Sequence, residues 1–141
     1  MALRNGHQII AVWPGLKEQV AGVAIDVGST TMSAHLCDMV TGDVLASTGA
    51  MNPQIRFGED LMSRVSYGIM NPGGAGEMSK AVIAGLQDLI DGAAEQANLV
   101  SDDVVELVLV GNPVMHHLLL GIDPVELGGA PFALAIDEAL D

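Results

Sequence analysis

An acid set near the end of an apolar run, followed closely by glycine and hydroxyl residues, constrains this chain more than any other feature. The segment is Val23-Ala24-Ile25-Asp26-Val27-Gly28-Ser29-Thr30-Thr31. Its apolar run, Gly22 to Asp26, reads as a buried strand. A carboxylate at the tip of such a strand is costly unless it has a partner or a task. Gly28 permits close backbone approach, and a turn here could aim N–H groups and the hydroxyls of Ser29 and Thr30 at a phosphate. In that reading Asp26 holds Mg²⁺ through water or orients an attacking water. The plainer reading is an ordinary turn in which Asp26 accepts backbone N–H groups, and the spacing does not separate the two. There is no Walker A pattern, which excludes a P-loop.

The neighbouring pattern supplies the rest of a sheet. Thr30 to Asp38 alternates, with Met32, Ala34 and Leu36 on one side and Ser33, His35 and Cys37 on the other, so it reads as a half-buried strand. Thr41-Gly42-Asp43 signals a hairpin turn, and Val44 to Ser47 a third strand. Upstream, His7 to Trp13 reads as a short strand stopped by Pro14-Gly15, and Leu16 to Val20 as a lead-in. Residues 1–20 therefore form an N-terminal strand and lead-in, with residues 21–141 the main unit. Gly58 to Gly68 has a helical period on Leu61, Val65 and Ile69. After the break at Asn71-Pro72-Gly73-Gly74, Ala75 to Ala97 is a long amphipathic helix carrying Met78, Val82, Leu86, Leu89, Ile90 and Ala93 on one face. Val104 to Val110 reads as a second buried strand and Pro113 to Leu120 as a short helix, with Pro113 suited to its first turn. The tail from Gly128 is weakly patterned, with some helical character from Ala133. The order β-β-β-α-α-β-α predicts an α/β fold. Its mixed sheet has three antiparallel strands and a last strand parallel to the first, flanked by helices.

Composition narrows the function. The chain's 141 residues suit one domain with a true core. The aromatics are only Trp13, Phe57, Tyr67 and Phe132, so that core rests on aliphatic side chains and Met. The net charge is −13, and the only bases are Arg4, Lys17, Arg56, Arg64 and Lys80. Such a balance argues against non-specific nucleic-acid binding and against anionic membrane surfaces. No apolar run approaches the roughly 20 residues that span a bilayer, and no secretory signal opens the chain. The lone Cys37 rules out an intrachain disulfide and a cysteine-held metal cluster, and suits a reducing, cytoplasmic setting.

Several further residues carry two readings. Asn112, after the second strand, could cap the following helix or touch ligand at the carboxyl end of the sheet, and capping is favoured. His116-His117 resembles a metal pair, but adjacent helical residues point about 100° apart, so one should pack and the other stay exposed. Asp60 and Arg64 are spaced for a local ion pair, although bases this scarce could instead serve a phosphate or an acidic partner. Asp102-Asp103 and Asp137-Glu138 read as solvated ends. Met51, Met62, Met70, Met78 and Met115 read as core or docking filler.

Taken together, these blocks resemble a known group. VAIDVGSTT, Val23 through Thr31, is similar to the first phosphate loop of the acetate and sugar kinase, heat-shock protein and actin (ASKHA) superfamily. Asn52-Pro53-Gln54 with Phe57-Gly58-Glu59-Asp60-Leu61-Met62-Ser63-Arg64 resembles a segment of the reductive activators of corrinoid proteins. So does the block from Val110 to Pro124, with Ala130-Pro131-Phe132. The resemblance implies a ribonuclease-H-like subdomain of an ATP-dependent activator that returns cob(II)alamin to cob(I)alamin in a corrinoid methyltransferase system. It implies ATP and Mg²⁺ between two subdomains, electrons from a [2Fe–2S] domain, and a corrinoid protein as partner. By matched position Asp26, Gly28, Ser29 and Thr30 contact phosphate and Mg²⁺, with Thr31 in the same loop and Asn112 near the cleft. The second subdomain and the cysteine cluster have no counterpart in these residues. The expectation is therefore a first subdomain of a larger protein, inactive by itself and prone to self-association into a homo-oligomer. Two alternatives stand beside it: a kinase-type phosphotransferase subdomain, and a non-catalytic docking module.

Overall fold

The computed structural model describes residues 1–134. Two sheets form. The smaller pairs β1 (Ala2–Arg4) with β2 (Gln8–Ala11). The larger contains β3 (Ala21–Val27), β4 (Thr31–Asp38), β5 (Val44–Met51) and β6 (Val104–Gly111), in the order β5-β4-β3-β6. β3, β4 and β5 are antiparallel neighbours, and β6 runs parallel to β3. The expected α/β mixed sheet, with its last main strand parallel to its first, is the arrangement observed. Among the described residues three α-helices accompany it: α1 (Leu61–Met70), α2 (Gly74–Gln96) and α3 (Pro113–Leu120).

Alternation decides which face is covered. Ala21, Val23, Ile25 and Val27 of β3 share a buried face with Met32, Ala34 and Leu36 of β4. α2 lays Met78, Val82, Leu86, Leu89 and Ala93 against it, and α3 adds Val114, Met115 and Leu118. Gly85 lets α2 come close: a Cβ there would lie 3.0 Å from both Met32 and Pro53. On the opposite face Ala24, Asp26 and His35 are exposed. Beyond Gly22, which packs beneath Met39, β3 is thus buried on one side only, not on both as its continuous apolar run suggested. Its outward Ala24 is a small residue that hydropathy alone counts as core. β6 likewise departs from the expected buried strand. It is the sheet's edge, with Val108 and Val110 54% and 59% exposed.

Other boundaries moved for identifiable reasons. The β1–β2 hairpin was not foreseen, although Asn5 and Gly6 both adopt positive φ (52° and 75°) and form a strong turn signal. β5 continues to Met51 because Asn52 N–H still reaches the Thr30 carbonyl at 2.8 Å. Helix α1 starts at Leu61 rather than Gly58. Gly58 instead closes a 3₁₀ turn, Pro53–Phe57, and Asp60 caps α1 by accepting from Ser63 N–H at 2.8 Å. Ile69, expected on the buried side of α1, is exposed. The expectations for a helical tail and for Asp137-Glu138 fall largely on residues 135–141, outside the described residues.

Asp103 is not a solvated end. It is buried, and Lys17 Nζ lies 2.6 Å from its carboxylate. Among the described residues four aspartates are held below the usual carboxylate range. The Thr41 and Val40 N–H groups hold Asp38 down, and Ser63 holds Asp60. Ser101 and Gln87 act on Asp91, and Lys17 on Asp103. A carboxylate with a depressed folded pKa contributes in full above its unfolded pKa of about 4, and that contribution is lost as pH falls further. Urea midpoints are therefore expected to fall as the pH drops below about 4. Asp38→Asn should flatten that acid limb; an unchanged limb would remove Asp38 from the account.

Candidate functional site: a clamped loop at the carboxyl end of the sheet

The parallel register places Val27 opposite Gly111, so β3 and β6 end at the same level. Gly28-Ser29-Thr30 turns away from one strand end, and Asn112 follows the other. Ligands in open α/β sheets gather at this kind of edge. A recess of about 30 Å³ lies there, lined by Val27, Leu109, Val110, Gly111, Met115, His116 and Leu119.

The loop's shape is dictated from behind. A Cβ on Gly28 would collide with the Thr31 carbonyl oxygen, so glycine is a packing requirement there. Asn52, buried in the 3₁₀ turn's N-cap, donates its side-chain amide to the Gly28 carbonyl at 2.8 Å. Arg64 Nη2 donates to the Ser29 carbonyl. Asn52 N–H takes the Thr30 carbonyl. Successive carbonyls of the loop are thereby drawn into the domain. Because C=O and the next N–H point oppositely across a trans peptide, the Ser29 and Thr30 N–H groups turn outward. Outward N–H groups of consecutive residues make a concavity suited to anions.

Each residue expected at the site has a definite place. Asp26 is exposed beside the loop, paired across the sheet with Ser33 and Val110. Among the described residues no hydrogen bond engages its carboxylate. Ser29 is half-buried, and Thr30 and Thr31 are exposed. Asn112 caps α3, accepting from Met115 N–H at 3.0 Å, which contributes about 1 kcal/mol.

His117 is buried with Nδ1 2.8 Å from the Pro113 carbonyl, while His116 is exposed. Among the described residues no group of three or more His, Cys, Asp or Glu is placed to hold a metal. No helix among them is long and apolar enough to cross a membrane.

Arg64 corrects the expected Asp60–Arg64 pair. Asp60 spends its carboxylate on the helix cap, while Arg64 is fully buried and bonds inward to Ser29, to the Gly58 carbonyl at 2.9 Å and to Gln54. Burial pulls its pKa down, with the Asp60 charge opposing. Gln54 is itself buried and donates to the Met78 carbonyl at 2.9 Å. The supporting roles of Asn52, Gln54 and Arg64 were not anticipated. One signal was present: position 64 falls between Leu61 and Val65 on the inner side of α1, so a base there faces the interior.

Fold and site together define an α/β domain with a loop at the carboxyl ends of two parallel strands, held from behind by Asn52 and Arg64. The chain belongs to the family described as the RACo middle region, matched over residues 21–141. It is 32% identical over 130 residues to the corrinoid activation enzyme RamQ of Eubacterium limosum, covering 91% of this chain and 22% of that protein. Its structure resembles a reductive activator for corrinoid, iron-sulfur protein, with TM-score 0.82 and 36% identity. That match covers 86% of this chain and 19% of the other. The chain thus spans about one fifth of the length of these relatives.

Proposed function

We propose that the chain supplies the first phosphate loop of an ATP-dependent reductive activator, which restores cob(I)alamin in a cytoplasmic corrinoid protein partner. The observation that carries this reading is the loop itself. Its Gly28 and Ser29 carbonyls are bonded inward, and the exposed Asp26 carboxylate beside it takes no hydrogen bond among the described residues. The relatives' names supply the reaction class. The residues fit a Mg²⁺-bound polyphosphate: the Ser29 and Thr30 N–H groups and hydroxyls would donate to phosphate, and the Asp26 carboxylate would hold Mg²⁺ through water. When bound, Mg-ATP supplies the free energy that favours a closed arrangement of two subdomains, to the extent that it binds that arrangement more tightly. Within this chain the loop binds and orients phosphate, and Asp26 fixes the metal's position.

Calorimetric titration with ATP, with and without Mg²⁺, tests the reading. The unaltered chain should bind more tightly with Mg²⁺. Asp26→Ala should lose most of that gain, about tenfold, while keeping its thermal midpoint. Equal Mg²⁺-dependence in both proteins would remove Asp26 from the site. In a full-length activator, normal reactivation of the corrinoid partner by Asp26→Ala would do the same.

A further inference from the structure

Arg64 is an unusual use of a base. The chain has five bases against 18 acids, yet this one has no exposed surface. Among the described residues its hydrogen-bond partners are all uncharged: the Ser29 and Gly58 carbonyls, the Gln54 side-chain oxygen at 3.4 Å and the Met115 sulfur at 3.6 Å. Burying a cation without a paired carboxylate is unfavourable, and an apolar side chain of similar size would fill the space at lower cost. General stability therefore does not account for it. Its planar fork does one thing an apolar residue cannot. It reaches the interior side of the β3–β4 loop and takes a carbonyl that would otherwise be free to rotate outward.

The neighbouring contacts work in the same direction. Asn52 is 1% exposed and uses its side chain three times, donating to the Gly28 carbonyl and to the Met115 sulfur at 3.5 Å and accepting from Gln54 N–H at 2.9 Å. Gln54 in turn receives Arg64. The clamp is a closed set of polar side chains, and among the described residues no buried side-chain nitrogen or oxygen lacks a partner. Fully satisfied buried networks fix one geometry.

We propose that Arg64 is the positioning residue of the phosphate loop: with Asn52 it holds the Gly28 and Ser29 carbonyls inward and so keeps the Ser29 and Thr30 N–H groups aimed at the ligand. The ligand half of this statement rests on the reading of the loop as a phosphate site. The clamp itself does not.

The test compares Arg64→Lys, Arg64→Met and Asn52→Ala with the unaltered chain. Leu118→Ala, a core change remote in role, serves as a stability-matched reference. Two quantities are read: backbone ¹⁵N relaxation at Ser29 and Thr30 without nucleotide, and the dissociation constant for Mg-ATP. In the unaltered chain both amides should be as rigid as β3. Arg64→Lys keeps the charge but not the fork, so both amides should become mobile and affinity should fall about tenfold. Leu118→Ala should leave the loop rigid and affinity within about twofold. If the Arg64 variants do not fold, Asn52→Ala gives the same readouts for the other half of the clamp. A rigid loop in whichever of these variants folds, or equal loop mobility in Leu118→Ala, overturns the proposal. If the unaltered chain binds no Mg-ATP, the phosphate reading fails, and the relaxation data still decide whether Arg64 and Asn52 position the loop.

Discussion

Gly28→Ala is expected to lower the urea midpoint and to weaken Mg-ATP binding at least about tenfold. The reason is a collision rather than a forbidden dihedral. Gly28 does not have a positive φ, but its missing Cβ leaves room for the Thr31 carbonyl oxygen. Adding a methyl group must push β3 and β4 apart at their junction or rotate the Gly28 peptide. Either movement breaks the Asn52 contact to the Gly28 carbonyl and misdirects the next N–H. Overpacking of this kind costs about 1–3 kcal/mol. Gly76→Ala provides the contrast, since nothing lies within 4 Å of the added carbon. That change should stabilise α2 slightly, by about 0.5–1 kcal/mol. A Gly28→Ala protein with an unaltered midpoint and unaltered affinity would show that the loop tolerates rearrangement.

Leu118→Ala is expected to cost about 3 kcal/mol, a large part of the roughly 5–15 kcal/mol that holds a domain of this kind together. Leu118 has no exposed surface and lies in the cluster that joins α3 to α2 and the sheet. Truncation removes its transfer energy and leaves a cavity that its neighbours refill only in part. Leu120, two residues on, is 47% exposed, and Leu120→Ala should stay within about 0.5 kcal/mol. Equilibrium urea unfolding of both proteins measures the difference. Similar losses in the two would mean that α3 is docked otherwise than described.

Much of the fold was legible because periodicity and turn residues agree. Met32, Ala34 and Leu36 alternate against Ser33, His35 and Cys37, and the structure buries the first set. The spacing of Met78, Val82, Leu86, Leu89 and Ala93 likewise matches the buried face of α2. What remained hidden was which apolar strand had a second neighbour. Val108 and Val110 carry the same hydropathy whether a strand lies beside them or water does, and only the sheet order makes β6 an edge. The candidate site divides along the same line. Asp26, Gly28 and Ser29 stand next to one another in sequence and could be read as a unit. Asn52 and Arg64 reach the loop from 24 and 35 residues away, one at the N-cap of a 3₁₀ turn and the other on α1, and no local pattern specifies that meeting.

The Arg64 contact also has a mechanical side. The guanidinium is rooted in α1, a surface helix that exposes Met62, Ile69 and Met70. Its far end grips the loop. A tilt of α1 must drag the Ser29 peptide with it or tear the contact, and a rearrangement of the loop must push back on the helix. One buried side chain thus makes the strand-end turn and an apolar outer helix face a single lever, so that a load applied to either is felt by the other.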